Sequence, residues 1–152
     1  MKVYENLWAS TLKFCNDFAN RAQANGLSPD IEVYDFDAMG GFEALPETDL
    51  IGPADFQVET RKGLFYITTM VGITTENDLN GFRLNKLVAE LFNKLLPEQS
   101  FPYVDAETGG KIGKMKVMDG TSVLPMARNS KSRPLKMIAV EVGTDRAVPG
   151  LV

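Results

Sequence analysis

The chain has 152 residues, 44% of them hydrophobic and 24% charged, with a formal net charge of −4. That size and balance describe one globular domain with a real core, and no apolar run approaches the roughly 18 residues of a membrane span. A single cysteine excludes an internal disulfide framework and points to a reducing interior, while the absence of histidine removes the commonest general base and zinc ligand.

The N-terminus, Met1-Lys2-Val3-Tyr4-Glu5, lacks the continuous apolar segment of a signal peptide. Helical spacing of Tyr4, Leu7, Trp8, Thr11, Leu12, Cys15, Phe18, Ala19 and Ala22 predicts a first helix over Tyr4 to Ala24. Asn25-Gly26 is its stop signal. Cys15 lies in the middle of the apolar stripe, as a small core residue rather than a nucleophile. Phe14 falls off that stripe and is expected at the surface, where it is available to a neighbouring subunit. Ser28 to Asp55 reads as a long acidic loop, with a short strand at Ile31 to Phe36 and breaks at Gly40-Gly41, Pro46, Gly52 and Pro53. A loop of that length in a compact domain is usually functional, and it is expected to reach outward to a partner.

Phe56 to Leu96 carries the clearest pattern. Phe56, Val58 and Thr60 alternate with Gln57, Glu59 and Arg61, the period of a strand with one dry face. Arg61-Lys62-Gly63 predicts a hairpin turn, and Leu64 to Thr75 is rich in β-branched and aromatic residues. Asn77 or Asp78 can cap a following helix. On that helix Leu84, Leu87, Val88, Leu91, Phe92 and Leu95 form one apolar stripe, and Pro97 ends it. Glu98 to Gly110 reads as a loop, Ile112 to Met118 as a strand, Asp119 to Pro134 as a basic, Ser-rich loop and Leu135 to Val142 as the last strand. Gly143 to Val152 reads as a flexible tail. The expected fold is α+β in two layers, an antiparallel sheet covered by two helices.

Charge is segregated along the chain. No Lys or Arg lies between Arg21 and Arg61, an interval holding Asp30, Glu32, Asp35, Asp37, Glu43, Glu47, Asp49, Asp55 and Glu59. From Lys111 to Lys136, seven basic residues face only Asp119. The plain reading is two solvated surfaces. The sharper one is a head-to-tail contact in which the acidic patch of one subunit meets the basic patch of the next, closing a ring. On that reading Glu43, Glu47, Asp49 and Asp55 meet Arg128, Lys131, Arg133 and Lys136, with Phe14 adding apolar affinity.

Three motif matches fail on inspection. Gly109-Gly110-Lys111-Ile112-Gly113-Lys114 has Thr108 and Met115 where a phosphate loop requires Gly and Ser or Thr. Asp35-Phe36-Asp37 opens a calcium-loop pattern that breaks at Met39 and Pro46. Ser10-Thr11-Leu12-Lys13 matches an acyl-enzyme tetrad without the companion motifs. Scattered carboxylates in a Gly/Pro-containing loop give no acid–base pair. The basic stretch has few interleaved aromatics, and the whole chain is acidic, which disfavours nucleic-acid recognition. No catalytic, cofactor-binding or metal-ligating residue is expected.

The element order (long helix, acidic segment, strand block Phe56 to Thr75, helix Leu79 to Leu96, closing strands Lys111 to Met118 and Leu135 to Val142) resembles the tail terminator proteins of long-tailed bacteriophages, whose fold is shared by neck and tail-completion proteins. The resemblance covers most of the chain in topology rather than in any short signature. It implies a structural protein of the virion tail or neck, assembled in the host cytoplasm. Such a protein forms a hexameric ring that caps the tail tube, stops polymerisation of the tube protein and meets the head-side connector, while DNA passes without specific binding. A monomeric protein-binding adaptor, a head-side neck protein and a carboxylate-dependent enzyme are the alternatives.

Overall fold

The structure is a computed structural model describing residues 2–38 and 42–144. Two helices and eight strands follow in the order α1 (Val3–Ala24), β1 (Glu32–Val33), β2 (Leu50–Arg61), β3 (Leu64–Thr74), α2 (Phe82–Lys94), β4 (Ser100–Val104), β5 (Lys111–Val117), β6 (Ser122–Val123), β7 (Ala127–Arg128) and β8 (Pro134–Thr144). The α+β class is as expected. The sheet is mixed rather than antiparallel, because β1 pairs parallel with β2.

The sheet runs β1-β2-β3-β8-β5-β4, and β6 and β7 continue along the β5 edge of β8. It curls. Helix α1 touches β1 and β2 near one edge and β4 at the other. Twist accumulating over successive strands brings the edges towards one helix. A bulge in β2 between Ala54 and Gln57 adds to the bend. The bulge carries Asp55 at φ +52°. Its freed N–H groups, those of Asp55 and Phe56, donate to the Asp37 carboxylate at 2.9 and 3.3 Å.

Local signals place the elements. The two turn residues between β2 and β3, Lys62 and Gly63, both have positive φ, the turn that suits strand twist. Helix α1 ends in a Schellman motif: Gly26 is left-handed, Leu27 N–H donates to Ala22 O at 2.9 Å and Gly26 N–H to Gln23 O at 3.1 Å. Asp78 caps α2 from three residues before its formal N-cap. Its carboxylate accepts from the N–H groups of Leu84 at 2.9 Å and Arg83 at 3.3 Å. A 13-residue helix is marginal by propensity alone. Burial of Leu84, Leu87, Val88, Leu91 and Leu95, each contributing about 1.5–3 kcal/mol, holds it in place.

Both helices share one core with the inward residues of the sheet, among them Ile51, Ile67, Val71, Ile73, Met115, Ile138 and Val140. The opposite face is also covered. Tyr34, Phe36, Leu50 and Ala54 form a second cluster with Phe42, Leu45, Met70 and Met137. The acidic segment is therefore a strap laid across the sheet, not a loop reaching outward. Its aromatic side chains hold it there: Phe36 stacks between Tyr34 and Phe42, with ring centroids 5.0 and 4.6 Å away.

Three further expectations change. Phe14 is buried against Phe101, with ring centroids 4.9 Å apart. Because α1 bridges two sheet edges, its dry face turns towards Ser10 and Phe14 and leaves Tyr4 59% exposed. The segment read as a loop at Glu98 to Gly110 contains β4, an edge strand that tolerates Pro102 because an edge need not donate every N–H. The tail expected from Gly143 begins inside β8, and its remainder, 145–152, lies outside the described residues, as does Gly40-Gly41.

Candidate functional site

Three segments meet at one end of the sheet: the strap (42–48), the turn after β3 (Thr75 to Leu79) and the β7–β8 loop (Asn129 to Arg133). Together they line a cleft of about 290 Å³. Behind its Glu76 wall lies the ion pair of Asp49 and Arg83. Asp49, with no solvent exposure, accepts from Arg83 Nε at 2.7 Å and Nη2 at 2.8 Å. The Ser28 hydroxyl donates to it at 2.6 Å and the Glu76 N–H at 2.9 Å. Burial alone would raise the Asp49 pKa and is the largest single influence. The hydrogen bonds from Arg83, Ser28 and Glu76 together with the Arg83 charge outweigh it, so the pKa lies below the usual value.

Arg133 ties the three segments together. It is 8% exposed. Its Nε donates to Thr74 Oγ1 at 3.0 Å, and its Nη1 to Pro46 O at 2.6 Å and Glu76 Oε2 at 3.0 Å. Its Nη2 donates to Thr48 O. Burial lowers its pKa against the pull of Glu76, Asp49 and Asp30. Asn129 shapes the loop, accepting at Oδ1 from the N–H groups of Lys131 at 2.9 Å and Arg133 at 3.0 Å. Its Nδ2 donates to Phe42 O at 2.7 Å. Glu43 accepts from the Ser130 hydroxyl and N–H, which hold its carboxyl below the ordinary range.

The acidic strap and the basic loop thus close on each other within one chain. Of the residues expected at an interface, Glu43, Glu47, Lys131 and Arg133 line this cleft, and Asp49 lies behind it. Asp49 and Arg133 are corrected from surface charges to buried ones: each spends its hydrogen bonds on its own chain. Arg128 is exposed, donating to Ser132 O at 2.9 Å and Leu79 O at 2.8 Å. Lys136 is half-buried on β8 opposite Ile73. Asp55 is exposed at the bulge. Sequence reasoning missed Arg83, Glu76 and Asn129. Arg83 lies off the apolar stripe of α2, which marks a polar face without revealing a buried partner 34 positions away.

The carboxylates around the cleft are engaged within the chain. Glu43 and Glu76 accept from Ser130 and Arg133, and Asp78 accepts from the Thr75 hydroxyl as well as the α2 N–H groups. The one thiol, Cys15, is buried in the main core, which pushes its pKa up to about 12. Among the described residues no three potential metal-ligating side chains are grouped. No helix among them is long and apolar enough to cross a membrane. At the rim, Leu79 and Phe82 are 69% and 71% exposed, and the Met126 side chain lies against neighbouring Gly81. No family model matches the chain, and no curated protein matches it in sequence.

Proposed function

We propose that this chain is a structural assembly protein that associates head to tail into a closed ring of the tail-terminator or neck type. Such a ring would cap a tail tube, bind the tube protein on one face and a head-side connector on the other, and let DNA pass. The observation that carries this reading is the Leu79–Phe82 knob. Two large apolar side chains stand in solvent on a base fixed by the Asp78 cap and by Arg128, which donates to Leu79 O at 2.8 Å. A knob held in place loses little freedom on docking, and Leu79 and Phe82, three residues apart, offer a partner two large apolar side chains at one point of the surface. The element order adds support, since helix, strap, hairpin, helix and closing strands come in the order the resemblance implies. Charge segregation no longer contributes, because the two regions are joined within the chain.

Size-exclusion chromatography with light scattering at low salt tests the reading. The expected result is a closed oligomer that Leu79→Ser with Phe82→Ser reduces to smaller species without loss of folding. A monomer at every concentration overturns the ring, and the knob would then serve a different protein.

A further inference from the structure

A second surface lies on the flank of α1 away from β4. Asn6 and Ser10 face β4 and its following turn, accepting from the N–H groups of Ala106 and Val104, each at 2.8 Å. Tyr4 and Trp8, each two residues earlier and so on the other side of the helix, pack instead on Phe56 of β2. The ring centroids are 5.7 and 4.9 Å apart and the planes nearly perpendicular. Each such edge-on contact hides one ring face at most. With Asp35, Asp37 and Ala38 these rings line an open groove of about 390 Å³. Among the described residues both carboxylates accept from backbone N–H groups, Asp35 from Asp37 and Ala38, Asp37 from Asp55 and Phe56. Among the described residues no cation lines the groove. One exposed ring, Tyr4, and two half-buried ones, Trp8 and Phe56, beside these carboxylates suit an ammonium or guanidinium on an apolar stem.

The chain carries a surface of that chemistry on its other flank. Met115 and Val117 of β5 point into the core, so Ile112 and Lys114 alternate onto the outer face. Ile112 is 51% exposed. Lys114 is exposed and makes no ion pair among the described residues. We infer that the Tyr4–Trp8–Phe56 groove receives the Ile112–Lys114 face of β5 from a second copy. Ile112 lies against the rings, and the Lys114 ammonium lies between the ring faces and the Asp35 and Asp37 carboxylates. Groove and strand face are different surfaces on opposite flanks of α1, so the contact is head-to-tail. This inference rests on the assembly reading and adds a second contact between copies to the Leu79–Phe82 knob.

Trp8 is the chain's one tryptophan, so intrinsic fluorescence reports on the groove directly. The test follows Trp8 emission and oligomer size together over a dilution series of the full chain. Two variants accompany it, Lys114→Glu and the pair Asp35→Asn with Asp37→Asn; the first Asn keeps one oxygen for both N–H groups that Asp35 Oδ1 accepts, while the second keeps an acceptor for one of the two N–H groups that Asp37 holds. The expected result is a blue shift of emission with assembly and at least tenfold weaker self-association in each variant. Mixed in equal amounts, the two variants should associate more tightly than either does alone, because the groove of the first and the strand face of the second remain intact. Parent-like assembly of both variants, with emission unchanged by oligomer size, overturns this contact and leaves the ring reading standing. A monomer at all concentrations overturns both. Circular dichroism melts verify folding, and Lys114→Glu, outside the bulge, keeps the test valid if the Asp pair destabilises the chain.

Discussion

Replacing Asp49 with Ala tests the ion pair beside the cleft. The carboxylate accepts two bonds from Arg83, one from Ser28 and one from the Glu76 N–H. Removing one partner of a buried ion pair costs about 3–5 kcal/mol, and a buried donor left without an acceptor costs about 1–3 kcal/mol. These figures do not add. The Arg83 side chain is 26% exposed and keeps Glu76 O as an acceptor, so water and that carbonyl offset part of the loss. The expected net destabilisation is about 4 kcal/mol, which for a domain of this size lowers Tm by roughly 8–16 °C. Asp49→Asn retains an acceptor oxygen while losing the charge, and should cost about half as much. The pH dependence has a definite sign. The folded pKa of Asp49 lies below its unfolded value of about 3.9. The stabilisation is therefore complete above that value and is lost as pH falls through the folded pKa. Urea unfolding followed by far-ultraviolet circular dichroism at pH 7 and at pH 3 measures both effects. Asp49→Ala within 1 kcal/mol of the parent, or a parent-to-Asn gap equal at the two pH values, would refute the argument.

Two other substitutions probe the fold around the cleft. Arg133→Lys keeps the charge but replaces a planar fork reaching Thr74, Pro46, Glu76 and Thr48 with one ammonium. It should cost about 2 kcal/mol, with faster amide exchange at 42–48 and 129–133; unchanged exchange there removes Arg133 as the latch. Gly52→Ala would place a Cβ 1.5 Å from the Tyr34 carbonyl oxygen, backbone against backbone, so the loss should reach about 3 kcal/mol or more, at the top of the overpacking range. Parent-like urea stability would mean that β1 and β2 do not approach as described.

The sequence revealed elements whose signals are local. Helix α2 was legible from a single unbroken stripe, and the hairpin from alternation and the Lys62-Gly63 turn. Asp78 was legible as one of two cap candidates, with Asn77, because capping acts over a few residues. The strap was not, because Tyr34, Phe36 and Phe42 bury themselves only once a sheet face exists to receive them. Strand β4 was hidden by Pro102, a residue that argues against a strand except at an edge, and edge position is a property of the finished sheet. Phe14 was misplaced because the stripe of α1 was read as if the helix met one surface, whereas it meets both ends of a curled sheet. The candidate site was legible by residue but not by role. Glu43, Glu47, Lys131 and Arg133 do come together, yet across a separation such as the 87 positions between Arg133 and Pro46. Charge blocks record which signs are present and not whether they meet within one copy or between two.

That distinction governs how any assembly defect should be interpreted. An arginine has five N–H donors. Arg133 directs its bonds to four acceptors of its own chain and is 8% exposed, so almost nothing of it remains for a neighbour. Asp49 is committed in the same way. Reversing either charge would loosen the strap, disturb the turn that presents Leu79 and reduce association without either residue touching a partner. A sign-reversal experiment confined to Arg128, Lys131 and Lys136 is not immune either, since Arg128 anchors Leu79 O. Lys114 and Ile112, on the outer face of β5, carry no such internal duty among the described residues. A loss of assembly there at unchanged melting temperature is attributable to the contact itself. The same loss at Arg133, accompanied by a lower melting temperature, is attributable to the fold.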